Sequence, residues 1–423
     1  MNTEEILNKA NYCIGCIKKP CSIACPLNND TTGFIKLIKD EKYKEAYELL
    51  CKTTVLQSIC GRICPHTKQC EGKCIRAIKG PSVEIGNMEA YLGDLAISNN
   101  WSIPKNNKTI KTKKIAVVGS GPAGLTCAAF LAKEGYVVTI YEKHKYLGGL
   151  LYHGIPEFRW PKDILKATID KILALGIKTE LNCELGKDIT IEQLESEYDA
   201  IFISIGANIS SKMNIEGENL LGVYGGNELL ENNHHPDYTG KTVIVNGGGN
   251  VAMDTARTIK KLGAEKVIVT YRRSETEMPA EIKEITEAKN EGIEFLFQTN
   301  ILKINGEEKV ESIECIKTEL VKIENEDRPS PKNIEGSNYN LKTDFVVMAL
   351  GSKSEENIVS KLNIELDLKN KIITNKLNQT SNKKIFAGGD ITNTKQTVAY
   401  AARSGRDAAK HIIEFIENTE YQK

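Results

Sequence analysis

The sequence lacks any apolar run of the roughly 18–20 residues that a membrane span needs, and its polar start, MNTEEILNK, does not read as a signal peptide. A cytoplasmic protein with no membrane partner is therefore expected. There is no excess of either charge, with 56 Lys and Arg against 56 Asp and Glu. A nucleic-acid partner or an anionic membrane surface would select for net positive charge, so neither is expected. Beyond Cys74 the cysteines stand singly, at Cys127, Cys183 and Cys315. That excludes a redox disulfide of the C-x2-C or C-x4-C kind from the rest of the chain. The 423 residues are enough for two or three domains with cores of their own.

What the chain does have is cysteine at one end. Nine of the twelve are Cys13, Cys16, Cys21, Cys25, Cys51, Cys60, Cys64, Cys70 and Cys74. Disulfide frameworks belong to small exported chains, so metal or cluster ligation is the expectation. The spacing is C-x2-C-x4-C-x3-C-P from Cys13, then C-x3-C-P-x4-C-x3-C from Cys60. Structural zinc takes paired C-x2-C knuckles, and only Cys13 and Cys16 are so spaced. Bacterial cluster ferredoxins use C-x2-C-x2-C-x3-C-P, with the fourth cysteine serving the other cluster. The opening run is similar, with two extra residues before its third cysteine. Two [4Fe–4S] clusters held by soft thiolates are the reading, with zinc as the alternative. Counting alone makes Cys60 the eighth ligand, since eight cysteines make two four-cysteine sites.

Between the two cysteine groups, DTTGFIKLIKDEKYKEAYELL has helical periodicity. A helix capped at Asp30 or Thr31 and ended by Cys51, a core thiol, is expected. His66 reads as a loop residue. His234 and His235 read as part of a linker, and KNNKTIKTKK (105–114) as a solvated basic linker. The polar stretch 322–340 reads as a surface loop.

Two stretches read as dinucleotide-binding units. KKIAVVGSGPAGLTCAAFLAKEGYVVTIYEK is a buried strand, a glycine turn, a helix and a second strand ending in Glu142. Gly119 makes the turn, Gly121 lets backbone approach a pyrophosphate, and Gly124 permits close helix–strand packing beside Ala123. The helix N-terminus then faces the phosphates, and Glu142 is placed for ribose hydroxyls. In KTVIVNGGGNVAMDTARTIKKLGAEKVIVTYRRS, Gly247, Gly249 and Ala252 take the three fingerprint positions and Asn250 opens the helix. Its second strand ends in Arg272 and Arg273 instead of an acid. A guanidinium clamps a 2′-phosphate that a carboxylate would repel, so this unit is expected to bind NADPH.

KKIFAGGDITNTKQTVAYAARSGRDAA leads a strand into Gly389 and Asp390, then a helix from Thr397 and Val398. It resembles the second FAD motif of two-dinucleotide-binding flavoproteins, in which the aspartate holds the ribityl chain. The helix N-terminus puts positive dipole near the flavin pyrimidine edge. FAD is therefore read into the first unit, with the NADPH unit inserted in the FAD domain. The fold class expected is α/β: a helical cluster module (1–111), a Rossmann-like FAD domain (112–235 and 353–423) and an inserted NADPH domain (236–352).

Together, CIGCIKKPCSIACP, GRICPHTKQCEGKC, VVGSGPAG, YEKHKYLGGLLYHGIPEFRWPK, GGGNVAMD, YRRSETEMPA and GGDITNTKQTVAYAARSG resemble the small-subunit (beta) family of NADPH-dependent glutamate synthase. The similarity extends to the dihydropyrimidine dehydrogenase flavoprotein subunit and to the large subunit of flavin-bifurcating ferredoxin:NADP oxidoreductase. The resemblance implies that Cys13, Cys16, Cys21 and Cys74 hold one cluster. It gives Cys25, Cys64 and Cys70 to the other, with Glu89 as fourth ligand where relatives have glutamine or glutamate. It also implies FAD contacts at Gly149, Leu150 and Arg159. The activity expected is hydride transfer from NADPH to FAD, then single electrons through two clusters to a catalytic partner subunit. A glutamate synthase large subunit leads as partner. A dihydropyrimidine dehydrogenase subunit or a stand-alone NADPH:ferredoxin or polysulfide oxidoreductase is the alternative.

Overall fold

The computed structural model describes residues 2–107, 109–323, 328–392 and 395–421. It divides into two compact units, one of 1–152, 157–207 and 354–423, the other of 153–156 and 208–353. The chain enters the first unit as short helices: Thr3–Tyr12, Pro20–Ala24, Thr31–Lys39, Tyr43–Leu50, Gln57–Ile63 and Ile85–Ser98. Ile6, Phe34, Ile35, Ile38, Leu50, Met88 and Leu92 share one buried cluster. Asp30 caps its helix by accepting from the Gly33 N–H at 3.2 Å.

The single helix expected over this stretch is two, broken at Asp40–Lys42 with Glu41 at φ +54°. On one continuous helix, at about 100° per residue, the Phe34–Ile35–Ile38 and Ala46–Tyr47–Leu50 faces would point roughly 120° apart. The break lets both faces be buried.

The first unit is built on a parallel sheet in the order Ile385–Ala387, Ala200–Ile203, Lys114–Val118, Val137–Glu142, Lys178–Leu181. Its central strands are buried on both faces, as helix-covered parallel sheets require. Helices Pro122–Lys133 and Val398–Tyr421 pack together so closely that a Cβ on Gly405 would lie 2.1 Å from the Ala123 carbonyl oxygen.

The second unit repeats the plan, in the order Val223–Gly225, Phe345–Met348, Thr242–Asn246, Lys266–Tyr271, Glu294–Phe297, all parallel. It adds an antiparallel sheet of Thr299–Asn305, Ser312–Val321, Ser330–Asn333 and Tyr339–Lys342. Residues 208–235, expected in the FAD domain, fall in this unit because Val223–Gly225 pairs with Phe345–Met348. Residues 330–333 and 339–340, expected as surface loop, belong to strands Ser330–Asn333 and Tyr339–Lys342, which pair with Ser312–Val321. Their polar alternation is that of a half-exposed sheet. Residues 324–327 of that stretch, and Lys108 of the basic segment, lie outside the described residues.

The helix contact at Gly405 has a direct test. Gly405→Val overpacks it and is expected to lower stability by about 1–3 kcal/mol, read as a drop in the thermal midpoint.

Candidate functional site

The helix ends of the amino-terminal module carry its thiols. Cys13, Cys25 and Cys64 cap the ends of three helices, and Cys70 and Cys74 flank the 3-10 turn Glu71–Lys73. Cys13, Cys21, Cys70 and Cys74 all lie in or against the same apolar cluster, and Cys13 acts electrostatically on Cys21. Cys16 lies in the turn between, its carbonyl accepting from the Lys19 N–H.

A second group forms deeper. A Cβ on Gly61 would lie 2.4 Å from the Ala90 backbone, so helices Gln57–Ile63 and Ile85–Ser98 cross at close range. That crossing brings Glu89 to the thiols. Burial, then the Glu89 carboxyl, push Cys25 up to about 12, and the same two causes raise Cys70. Cys64 is raised by its hydrogen bond with Cys60, by burial and by Glu89. Glu89, 5% exposed, is itself pushed up to about 8 by burial, against one hydrogen bond from the Asn29 amide at 3.2 Å.

Acidic groups crowd here, and the Glu89 carboxyl opposes ionisation of Cys25, Cys64 and Cys70. A cationic centre would relieve this, because coordination deprotonates a thiol outright. Among the described residues no three His, Cys, Asp or Glu side chains are grouped tightly enough for a single metal ion. A four-iron cluster spreads its ligands around a cage, and this donor set fits that chemistry.

Three cations of the sheet region reach back into this module. Arg406 donates to the carbonyl oxygens of Leu27 (2.6 Å) and Thr53 (3.2 Å), and Lys133 to that of Cys51 (2.6 Å). Lys171 donates to the carbonyls of Ala96 and Trp101. Sequence reasoning missed all three, because a cation bonded to a backbone carbonyl leaves no pattern.

In the first sheet, Gly119 (φ +94°) follows the strand, and a Cβ on Gly124 would lie 1.9 Å from its carbonyl oxygen. Gly121 caps Pro122–Lys133, and a Cβ there would meet nothing within 4 Å. Ala123 is buried beneath. Gly149 (φ +53°) lies against Gly121, Leu150 opens a short helix, and half-buried Arg159 precedes buried Trp160. The Glu142 carboxylate is buried and accepts from the Ser120 N–H (3.0 Å), the Ser120 hydroxyl and the His144 N–H (3.0 Å). Ser120 fills a variable motif position, so nothing in the fingerprint marks it.

Gly389 (φ +77°) donates its N–H to the Ser404 hydroxyl, and Asp390 Oδ1 is buried with no partner among the described residues. Burial pushes the Asp390 carboxyl from the ordinary 3.8 to about 6. A buried acceptor with no partner fits a hydroxyl-bearing ligand. Ser404 belongs to helix Val398–Tyr421, before which the Thr397 hydroxyl accepts from the Tyr400 N–H at 3.3 Å.

In the second unit Gly247 passes under the Ala349 carbonyl, which a Cβ would approach to 2.2 Å. Gly249 caps Asn250–Lys261 with only Pro279 near it, at 4.0 Å. The Asn250 side chain accepts from the Glu281 N–H at 3.0 Å. Arg272 is exposed at the strand end, and Arg273 Nε donates to the Pro329 carbonyl at 2.9 Å.

A raised carboxyl favours the neutral form in the folded chain. The stability it contributes in flavin-free protein is fullest below pH 3.8 and is lost as pH rises through about 6. Asp390→Asn is expected to flatten that fall and to stabilise flavin-free protein at neutral pH, as thermal midpoints across pH 4–7 would register.

Residues 113–405 match the family model described as pyridine nucleotide-disulphide oxidoreductase. Residues 1–101 match the one described as dihydropyrimidine dehydrogenase domain II, 4Fe-4S cluster. The Escherichia coli glutamate synthase [NADPH] small chain is 34% identical over 97% of this chain and 91% of its own. The NADPH-Fe(3+) oxidoreductase subunit beta of Geobacter sulfurreducens is 34% identical over 94% of this chain and 64% of its own. Mycobacterium tuberculosis FprA in complex with NADPH shares the fold, at TM-score 0.66 and 20% identity over 74% of this chain and 86% of that one. No helix among the described residues is long and apolar enough to cross a membrane. The chain belongs to the pyridine nucleotide-disulphide oxidoreductases and, within them, to the glutamate synthase small-chain family of NAD(P)H-dependent flavin iron–sulfur oxidoreductases.

Proposed function

We propose that this chain takes electrons from NADPH and hands them singly to a catalytic partner subunit, with a glutamate synthase large subunit as the leading candidate. One observation carries the reading. Helix Val398–Tyr421 is bonded to the Gly389–Asp390 turn through Ser404, and its Arg406 is bonded to carbonyls within the cysteine-bearing module. With no cysteine pair after Cys74, that module is the exit available to electrons.

Bound nicotinamide, flavin and iron–sulfur groups supply the hydride and one-electron chemistry. The residues bind and orient them, and hydride transfer needs proximity more than an acid or base, so no general base is assigned. Arg272 and Arg273 hold the 2′-phosphate, while Gly247, Gly249 and Asn250 bring a helix N-terminus to the pyrophosphate. Gly119, Gly121, Ala123 and Gly124 do the same for FAD. Glu142, Gly149, Leu150 and Arg159 add contacts, and the orphaned Asp390 oxygen accepts from the ribityl chain. Thr397 and Val398 set helix dipole at the pyrimidine edge.

Cys13, Cys16, Cys21 and Cys74 take one cluster, and Cys25, Cys64, Cys70 and Glu89 the other. Glu89 is preferred to Cys60 because its carboxyl acts on all three thiols, whereas Cys60 acts on Cys25 and Cys64. A dihydropyrimidine-reducing partner is the second reading, favoured by the match of residues 1–101.

Iron and acid-labile sulfide should fall in Glu89→Ala and stay at wild-type content in Cys60→Ser; loss in the cysteine variant alone would reverse the assignment. The partner is tested by anaerobic affinity purification from the native host with mass spectrometry. A stoichiometric amidotransferase-type chain is expected. Protein that emerges alone, coloured and bleached by NADPH, would defeat the subunit reading.

A further inference from the structure

We infer that Arg328 is a third cation of the 2′-phosphate site, delivered by a strand outside both nucleotide-binding motifs. The inference rests on the assignment of that phosphate to Arg272 and Arg273.

The antiparallel sheet is bonded directly to the arginine pair. The Thr318 hydroxyl donates to the Arg272 carbonyl at 2.8 Å, and the Gln298 N–H to the Arg273 carbonyl at 3.0 Å. Ser330–Asn333 pairs with Ser312–Val321, and just before it the Pro329 carbonyl accepts from Arg273 Nε at 2.9 Å. The same short segment thus fixes the Arg273 side chain and presents the next guanidinium.

Arg328 Nη1 donates to the Glu277 carbonyl at 3.3 Å. That oxygen also accepts from the Tyr271 hydroxyl at 2.9 Å, and the Tyr271 ring lies so near Gly248 that a Cβ there would be 2.5 Å from it. Arg328 is therefore one shared acceptor away from the ring that lines the glycine loop. A single bond to a neutral carbonyl uses one of a guanidinium's roughly five N–H donors, and the side chain is exposed. The neighbouring carboxylates are engaged elsewhere: Glu277 accepts from the Ser274 and Thr276 hydroxyls, and Glu275 pairs with Lys289 at 2.6 Å. Arg328 is thereby tied through one short segment to the arginine pair, where a guanidinium could give a dianionic phosphate bidentate bonds.

The experiment is calorimetric titration of the full-length holoprotein with 2′,5′-ADP and with 5′-AMP, which differ only in the 2′-phosphate. Arg328→Ala is expected to weaken 2′,5′-ADP about tenfold, leaving 5′-AMP within about twofold, and Arg328→Lys to recover part of the loss. Unchanged 2′,5′-ADP affinity in Arg328→Ala would overturn the inference. So would equal losses for both ligands, which would mark a role in the loop and not at the phosphate. Wild-type protein that binds the two ligands alike would instead defeat the Arg272–Arg273 assignment itself.

Discussion

The Glu89 carboxyl bears on Cys25, Cys64 and Cys70 inside one helical module. Around this constraint the module is arranged. Together these four groups make a volume hostile to negative charge and lined with its potential donors. Helix ends deliver most of these donors, so the backbone that turns at each cysteine also aims it. The buried Asn29 amide, accepting from the Thr53 hydroxyl at 2.7 Å and donating to Glu89, sets the carboxyl among the thiols.

The module is not an appendage. Lys133, Lys171 and Arg406 give their charge to backbone carbonyls, groups that no side-chain substitution removes. Lys133 is 3% exposed, and burial lowers its affinity for a proton, so the bond to Cys51 is made by a cation drawn out of water. Charge-assisted bonds of this kind contribute about 1.5–3 kcal/mol each, and their loss leaves a buried charge uncompensated. Two of the three arise from the helices Pro122–Lys133 and Val398–Tyr421, so the Gly121 and Asp390 turns and the cysteine module are tied to the same two helices.

Much of this was legible in the sequence, for reasons that particular residues make plain. Gly119, Gly124 and Gly247 occupy positions that a Cβ would force into a neighbouring carbonyl, and such local requirements always write themselves as glycine. Clustered thiols are equally legible, because the residue type is rare and its spacing is set by the ligand. Less visible was the break at Glu41, since periodicity reports an apolar face but not a change in helix axis. Domain borders are faint for a similar reason: Val223–Gly225 pairs with a strand over a hundred residues later, and pairing of that range leaves no local mark. Ser120, Asn29 and Arg328 were missed because each works through a neighbour's carboxylate, amide or carbonyl.

The basic stretch before the first sheet looked like a free tether, but its backbone is held. The Asn106 and Asn107 N–H groups both donate to the Lys133 carbonyl, and Lys111 binds the Gly135 carbonyl, the Tyr136 hydroxyl and Glu417. Lys133 thus grips the cysteine module with its side chain and the connecting strand with its backbone. Electron tunnelling falls steeply with distance, so a swinging module would make transfer wait for its return. Here the linking stretch is bonded along its backbone, which restrains that distance.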